Sequence, residues 1–142
     1  MSLPQVVIDT NIIVAGLRSR RDSAFKLLSL IGRKQFDFHL SVPLVLEYTD
    51  VLLRELPNLY LSREEVDDLI DFYCAVGVHH EIFFLWRPFL RDPKDDMVLE
   101  LAVKAGCEGI ITYNTRDFAG IEQFGLNLLA PSEFLRSIGE LT

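Results

Sequence analysis

The chain has 142 residues, of which 49% are hydrophobic and 25% charged, and a formal net charge of −7. That length suits one domain, which on folding hides roughly 70% of the surface its unfolded form exposes. No apolar run approaches the roughly 18 residues of a membrane span, and no secretory signal precedes the first strand, so a cytoplasmic protein with no membrane partner is expected. Cys74 and Cys107 stand far apart in apolar surroundings, which gives neither a disulfide framework nor a metal knuckle, and both are read as buried free thiols. The negative charge argues against nonspecific nucleic-acid binding through Lys and Arg. It leaves room for acids that hold cations, because those cations then present the positive charge to a phosphate.

The chain reads as alternating strands and helices. Val6-Val7-Ile8 is a short β-branched run, apolar on both faces, that ends at Asp9. Residues 12–17 stay apolar up to the charged turn Arg18-Ser19-Arg20-Arg21. Asp22 or Ser23 then caps a helix closed by Gly32. Phe36, Phe38 and Leu40 alternate with Asp37 and His39, the pattern of a second strand. Ser41 and Pro43 open a helix that Pro57 stops. Ser62 and Glu65 form a capping box for another helix, which runs to Gly77. A third strand lies within Val78–Leu85. Asp92-Pro93 begins a helix ending near Gly106. Gly109–Thr112 and Leu126–Leu129 are the fourth and fifth strands, and Pro131-Ser132 starts the last helix. Strands separated by helices pair in parallel through right-handed crossovers. The expected fold is α/β: a central parallel sheet with helices on both faces, its function gathered beyond the carboxyl ends of the strands.

Candidate chemistry falls at those ends. Asp9 stands just past the first strand, followed by Thr10 and Asn11. Asp92, Asp95 and Asp96 crowd one turn. Asp92 suits an N-cap and Asp95 the first turn of a helix, where the dipole favours acids. Three carboxylates in one turn nonetheless repel unless something positive lies between them, and oxygen-only ligands suit Mg²⁺ or Mn²⁺. Glu47 is a lone acid among the apolar Leu44, Val45 and Leu46. Thr112, Asn114 and Asp117 follow the fourth strand. Arg18, Arg20, Arg21, Lys94 and Arg116 are available for phosphates, and Tyr113 for stacking on a base. His39, His79 and His80 lack metal or triad spacing and are read as structural.

Val-Ile-Asp-Thr-Asn at 7–11 with Gly16, Ser41-x-Pro43 leading to Glu47, Arg91-Asp92-Pro93-Lys94-Asp95-Asp96 with Leu99 and Ala102, and Thr112 through Phe118 together resemble, in order, the motifs of PIN domains. The resemblance spans almost the whole chain and implies a PIN fold and cleavage of single-stranded RNA with Mg²⁺ or Mn²⁺. It further suggests the toxin of a toxin–antitoxin pair, similar to the VapC group, with an antitoxin partner and a homodimeric state. Carried over by position, Asp9, Glu47 and Asp96 match the principal acids, Asp95 competing with Asp96 because the doubled Asp leaves the register open by one. Asn114 stands where some members have an acid, and Asp117 lies three residues on, so the number of metals stays open.

The implied mechanism is metal-assisted phosphodiester hydrolysis. Asp9, Asp96, Asp95 and Asp117 are the expected metal ligands, and Glu47 helps hold the ion or orients the attacking water. Thr10, Asn11, Thr112 and Asn114 support them. A phosphatase of the haloacid dehalogenase class requires a second Asp where Asn11 stands, and a receiver domain requires an acidic pair and a late Lys that are not evident. The remaining rival is a PIN-fold binding module with little or no catalysis, motivated by Asn114 and the acidic surface.

Overall fold

The computed structural model describes residues 2–82 and 89–141. Its centre is a five-stranded sheet in the order β3-β2-β1-β4-β5. The strands are β1 (Gln5–Ile8), β2 (Asp37–Ser41), β3 (Val78–His80), β4 (Gly109–Ile111) and β5 (Asn127–Leu129). Every pairing is parallel, with Val7 opposite Ile110 and Val6 opposite Phe38. As the run of β-branched residues implies, Val6, Val7 and Ile8 are at most 1% exposed: the central strand is covered on both faces.

Among the described residues six α-helices accompany the strands: α1 (Thr10–Arg18), α2 (Ser23–Ser29), α3 (Val42–Arg54), α4 (Arg63–Val76), α5 (Pro93–Lys104) and α6 (Pro131–Ser137). The starts of α2 to α6 are the ones written in the sequence. Asp22 caps α2, Ser41 caps α3 ahead of Pro43, and Ser62 with Glu65 forms a complete capping box on α4. Gly32 and Gly106 adopt positive φ just beyond α2 and α5. From β1 the chain winds outward through β2 to β3, then returns to pair β4 on the other side of β1. With right-handed crossovers, that reversal puts α5 on the face opposite the helices of the first half, and α5 lies across β1, β2 and β4. The strand order switches direction between β1 and β4, so the crevice of this sheet opens beyond Ile8 and Ile111.

The apolar residues after Asp9, to which the sequence assigned no element, form the helix α1, which buries Ile12, Ile13 and Leu17. The third strand, expected within Val78–Leu85, is found at Val78–His80; the Phe83-Phe84-Leu85-Trp86 run lies outside the described residues. Of the two thiols only Cys107 is buried, while Cys74 is half-buried. Among the described residues no helix is long and apolar enough to cross a membrane.

Candidate active site

Asp9 is the pivot. It ends β1 and caps α1, so its backbone is extended while its side chain turns back over the helix start. Its Oδ1 accepts the Thr10 N–H at 2.9 Å. Its Oδ2 accepts the Thr112 hydroxyl at 2.7 Å and the Asn11 amide at 3.2 Å. Thr112, fully buried just past β4, also accepts from the Asn11 side chain and from the Asn114 N–H. The ends of the two adjacent strands are thereby tied together around one carboxylate. Asp9 is only 6% exposed. Burial raises its pKa, the nearby Asp117 and Glu47 carboxylates add to the rise, and the Thr112 and Thr10 hydrogen bonds oppose it.

The second acid comes from α3. Tyr48 is fully buried and its hydroxyl donates to the Ile8 carbonyl, one residue before Asp9. This anchors α3 against the end of β1 and presents Glu47, the neighbouring residue, to the crevice. Glu47 is 16% exposed and pairs with Lys94 Nζ at 3.6 Å.

The doubled Asp of α5 separates into two environments. Asp96 Oδ1 accepts the N–H groups of Phe89 and Leu90, at 3.1 and 2.8 Å, and so holds the segment entering the helix. Asp95 instead lines the cleft with Asp9 and Glu47. It has no hydrogen-bond donor among the described residues, and its pKa is pushed up to about 7, chiefly by burial and then by repulsion from Asp9, Asp92, Asp117 and Asp96. Asp96, expected as a principal acid and metal ligand, is absent from the cleft wall because its carboxylate is engaged by backbone.

The remaining residues divide. Asn114 and Lys94 line the main cleft, and Asp117 faces an adjoining hollow with Asp92 and Asp95. Asp92, read from sequence as an N-cap, does cap α5 and also borders both spaces. Arg116 lies beside Asn114 and Asp117 on the outer rim. Arg18 reaches the far end of the cleft, paired with Glu55 at 3.4 Å. Arg20 does not: it lies over the Tyr60 ring at 4.7 Å. The Tyr113 hydroxyl donates to Asp22. His39 and His80 are brought together, Nδ1 to Nε2 at 2.7 Å, with Gln5 on the other ring nitrogen of His39. This hydrogen-bonded pair joins β2 and β3 and agrees with a structural reading.

Sequence reasoning passed over the cleft's length. Asn11, Val14, Ala15 and Arg18 form one face of α1, and Glu47, Val51 and Glu55 one face of α3; both faces line part of a cleft of about 390 Å³. The spacings of three, four and eight residues were visible, but without α1 in place nothing marked them as facing surfaces.

The donor set suits a hard divalent cation: it is all oxygen, it is acidic, and one half-buried carboxylate, Asp95, has no donor among the described residues. Among the described residues no three His, Cys, Asp or Glu side chains are grouped closely enough to enclose an ion by themselves. Mg²⁺ commonly keeps several of its waters and takes only one or two carboxylates, so an open acidic site of this kind fits it.

Fold and site together define a doubly wound α/β protein with a carboxylate centre at the switch point of its sheet. The chain belongs to the PIN domain family: the family model described as PIN domain matches residues 5–116. The fold is similar to a chain in the crystal structure of VapBC2 from Rickettsia felis bound to a DNA fragment from their promoter, with a TM-score of 0.61 and 15% identity, covering 87% of this chain and 98% of that one. No curated protein matches the sequence.

Proposed function

We propose that this PIN domain is a Mg²⁺- or Mn²⁺-dependent endoribonuclease that hydrolyses phosphodiester bonds in single-stranded RNA. The observation that carries the reading is Asp95: a half-buried carboxylate with no donor among the described residues, lining a cleft with Asp9 and repelled by its neighbours. Such a group destabilises the fold unless a cation answers it. Asp9 and Asp95 are assigned as the principal metal ligands, with Asp117 completing the charge from the adjoining hollow. Asp96 is reassigned to holding the α5 entrance. Once bound, the ion supplies Lewis acidity and positive charge at the phosphate.

The chain's own residues do the rest. Thr112 and Thr10 fix the Asp9 carboxylate, so its lone pairs are aimed before substrate arrives. Glu47 is placed by Tyr48 to accept a proton from an attacking water. Lys94, now on Glu47, is long enough to turn to a phosphate oxygen. Asn114, in place of an acid, supplies neutral donors and acceptors at the cleft mouth, and Arg116 offers a cation on the rim.

The similarity to a chain of VapBC2 supports a finer proposal, that the protein is the toxin of such a pair. In keeping with this, an apolar hollow beside α4, walled by Leu17, Phe25, Leu61 and Phe72 and bordered by Glu65 and Asp68, offers a surface for an antitoxin. A homodimer is proposed with it, to be read from the mass in solution.

The test is a labelled single-stranded RNA incubated with the protein in Mn²⁺ or Mg²⁺, beside an EDTA control and Asp9→Asn. Metal-dependent cutting lost in both controls is expected. A folded wild-type chain that cuts none of several RNAs in either metal defeats the proposal and favours a binding module, with Asn114 the first suspect for lost catalysis.

A further inference from the structure

The cleft is longer than an acid centre requires. From Asp9 to Arg18 along α1 is nine residues, about 14 Å of helix, and from Glu47 to Glu55 along α3 is eight, about 12 Å. The near end is acidic. The middle is apolar, with Val14 and Ala15 on one wall and Val51 on the other, and the far end closes on Arg18 and Glu55. Resting on the ribonuclease reading above, we propose that this far half is a nucleobase subsite that selects guanine, with Glu55 and Arg18 as the specificity-determining pair.

Val14, Ala15 and Val51 give this stretch of the cleft an apolar lining that accepts the flat face of a base. What the far end then recognises is set by its polar groups. Glu55 ends α3 and accepts from Asn58 Nδ2 at 2.8 Å and from Arg18 at 3.4 Å. The Asn58 hydrogen bond first, and the Arg18 and Arg54 charges after it, hold its pKa below the ordinary value. An ionised carboxylate only accepts, so a base docked against it must present donors. Guanine offers two adjacent N–H donors, at N1 and the N2 amino group, to match two carboxylate oxygens. On the same side of the ring its O6 accepts from an arginine. Adenine and cytosine each present one amino donor, and uracil one ring N–H. The Arg18–Glu55 pair is exposed, 53% and 30%, and its 3.4 Å contact is loose, so a base can insert between the two groups at little expense.

The experiment has two arms, both with the full chain. In the first, 5′-GMP, 5′-IMP, 5′-AMP and 5′-UMP are titrated in NMR spectra without added metal. GMP is expected to bind best and to shift Val14, Val51 and Arg18 signals; IMP, which lacks the N2 amino group, should bind several-fold more weakly, and Glu55→Gln should erase the difference between them. In the second, cut sites are mapped on a randomised RNA, and kcat/KM is compared for short RNAs carrying guanine, inosine or adenine at the selected position. Guanine should be favoured about tenfold or more, as one good base contact provides, and the preference should collapse in Glu55→Gln. Equal binding of the four nucleotides, shifts confined to residues outside the cleft, or a guanine preference unchanged in folded Glu55→Gln would overturn the subsite. Guanine-selective binding with no RNA cutting would sink the ribonuclease reading alone and leave a site for free guanine nucleotides.

Discussion

At the scale of single residues, the site gains its chemistry by giving up stability, and two substitutions separate the contributions. Asp95→Asn removes a charge that burial and four acids disfavour, without removing a hydrogen bond among the described residues. In metal-free buffer near pH 8 the variant should melt at a higher temperature than the wild type, yet lose cutting by two orders of magnitude or more; a lower melting temperature would show that Asp95 is not held against its preference. Thr112→Val tests the opposite kind of residue. It keeps the shape of a fully buried side chain but strips the 2.7 Å donor from Asp9. Hydrogen bonds to charged groups contribute about 1.5–3 kcal/mol. The variant should therefore be less stable by roughly that much. It should also bind the metal about 10–100-fold more weakly, the usual effect of removing a partner of a ligand. Calorimetric metal titration beside thermal melts would separate the two effects, and a variant with unchanged metal affinity would remove Thr112 from the positioning role.

At the scale of elements, α3 matters because it joins Glu47 to the sheet through one interior contact. In Tyr48→Phe the ring packing survives while the hydroxyl donated to the Ile8 carbonyl is lost. The expected cost is about 1 kcal/mol in stability, with a larger fall in kcat than in KM, because Glu47 loses its registration against Asp9. Equal falls in both with normal stability would indicate that α3 is placed by other packing. Tyr48 was invisible as a positioning residue in sequence, since a Tyr beside a Glu in an amphipathic helix reads as core. Capping and breaking signals, by contrast, are local and were legible: Ser41, Pro43, Ser62 and Glu65 start helices where expected. α1 was missed because nothing separates it from β1. Asp9 directly follows the strand and is itself the N-cap of α1, and an apolar run reads equally well as strand or buried helix. The register of the doubled Asp could not be read for a similar reason. Adjacent helical residues differ by about 100° in direction, and only the Phe89 and Leu90 N–H groups decide which one turns away.

At the scale of the whole molecule, a net charge of −7 concentrated partly around one cleft makes stability depend on pH and on cations together. Asp9 and Asp95 both have folded pKa values raised above the ordinary 3.8, Asp95 to about 7. A raised acid contributes stability fully below its unfolded pKa and loses it as pH rises through the folded value. The two histidines run the other way. His39 and His80 are lowered from 6.5, foremost by burial, so their neutral pair becomes a liability as pH falls below about 6.5, where the unfolded chain takes up protons that the folded pair resists. Metal-free protein should accordingly lose the Asp95 contribution as pH rises from 3.8 to about 7, with the histidines offsetting part of that decline only below 6.5, and the decline should level off toward pH 8. Divalent cations bind the deprotonated acids, so millimolar Mn²⁺ or Mg²⁺ should raise the melting temperature more at pH 8 than at pH 6 and flatten the decline. Fluorescence-monitored melts across this range, with Asp95→Asn alongside, isolate the cause: the decline should shrink in that variant. A wild-type decline that persists undiminished in Asp95→Asn, or a cation effect equal at both pH values, would mean that the cleft acids do not control the stability of this fold. The repulsion built into the cleft would then have some purpose other than holding an ion.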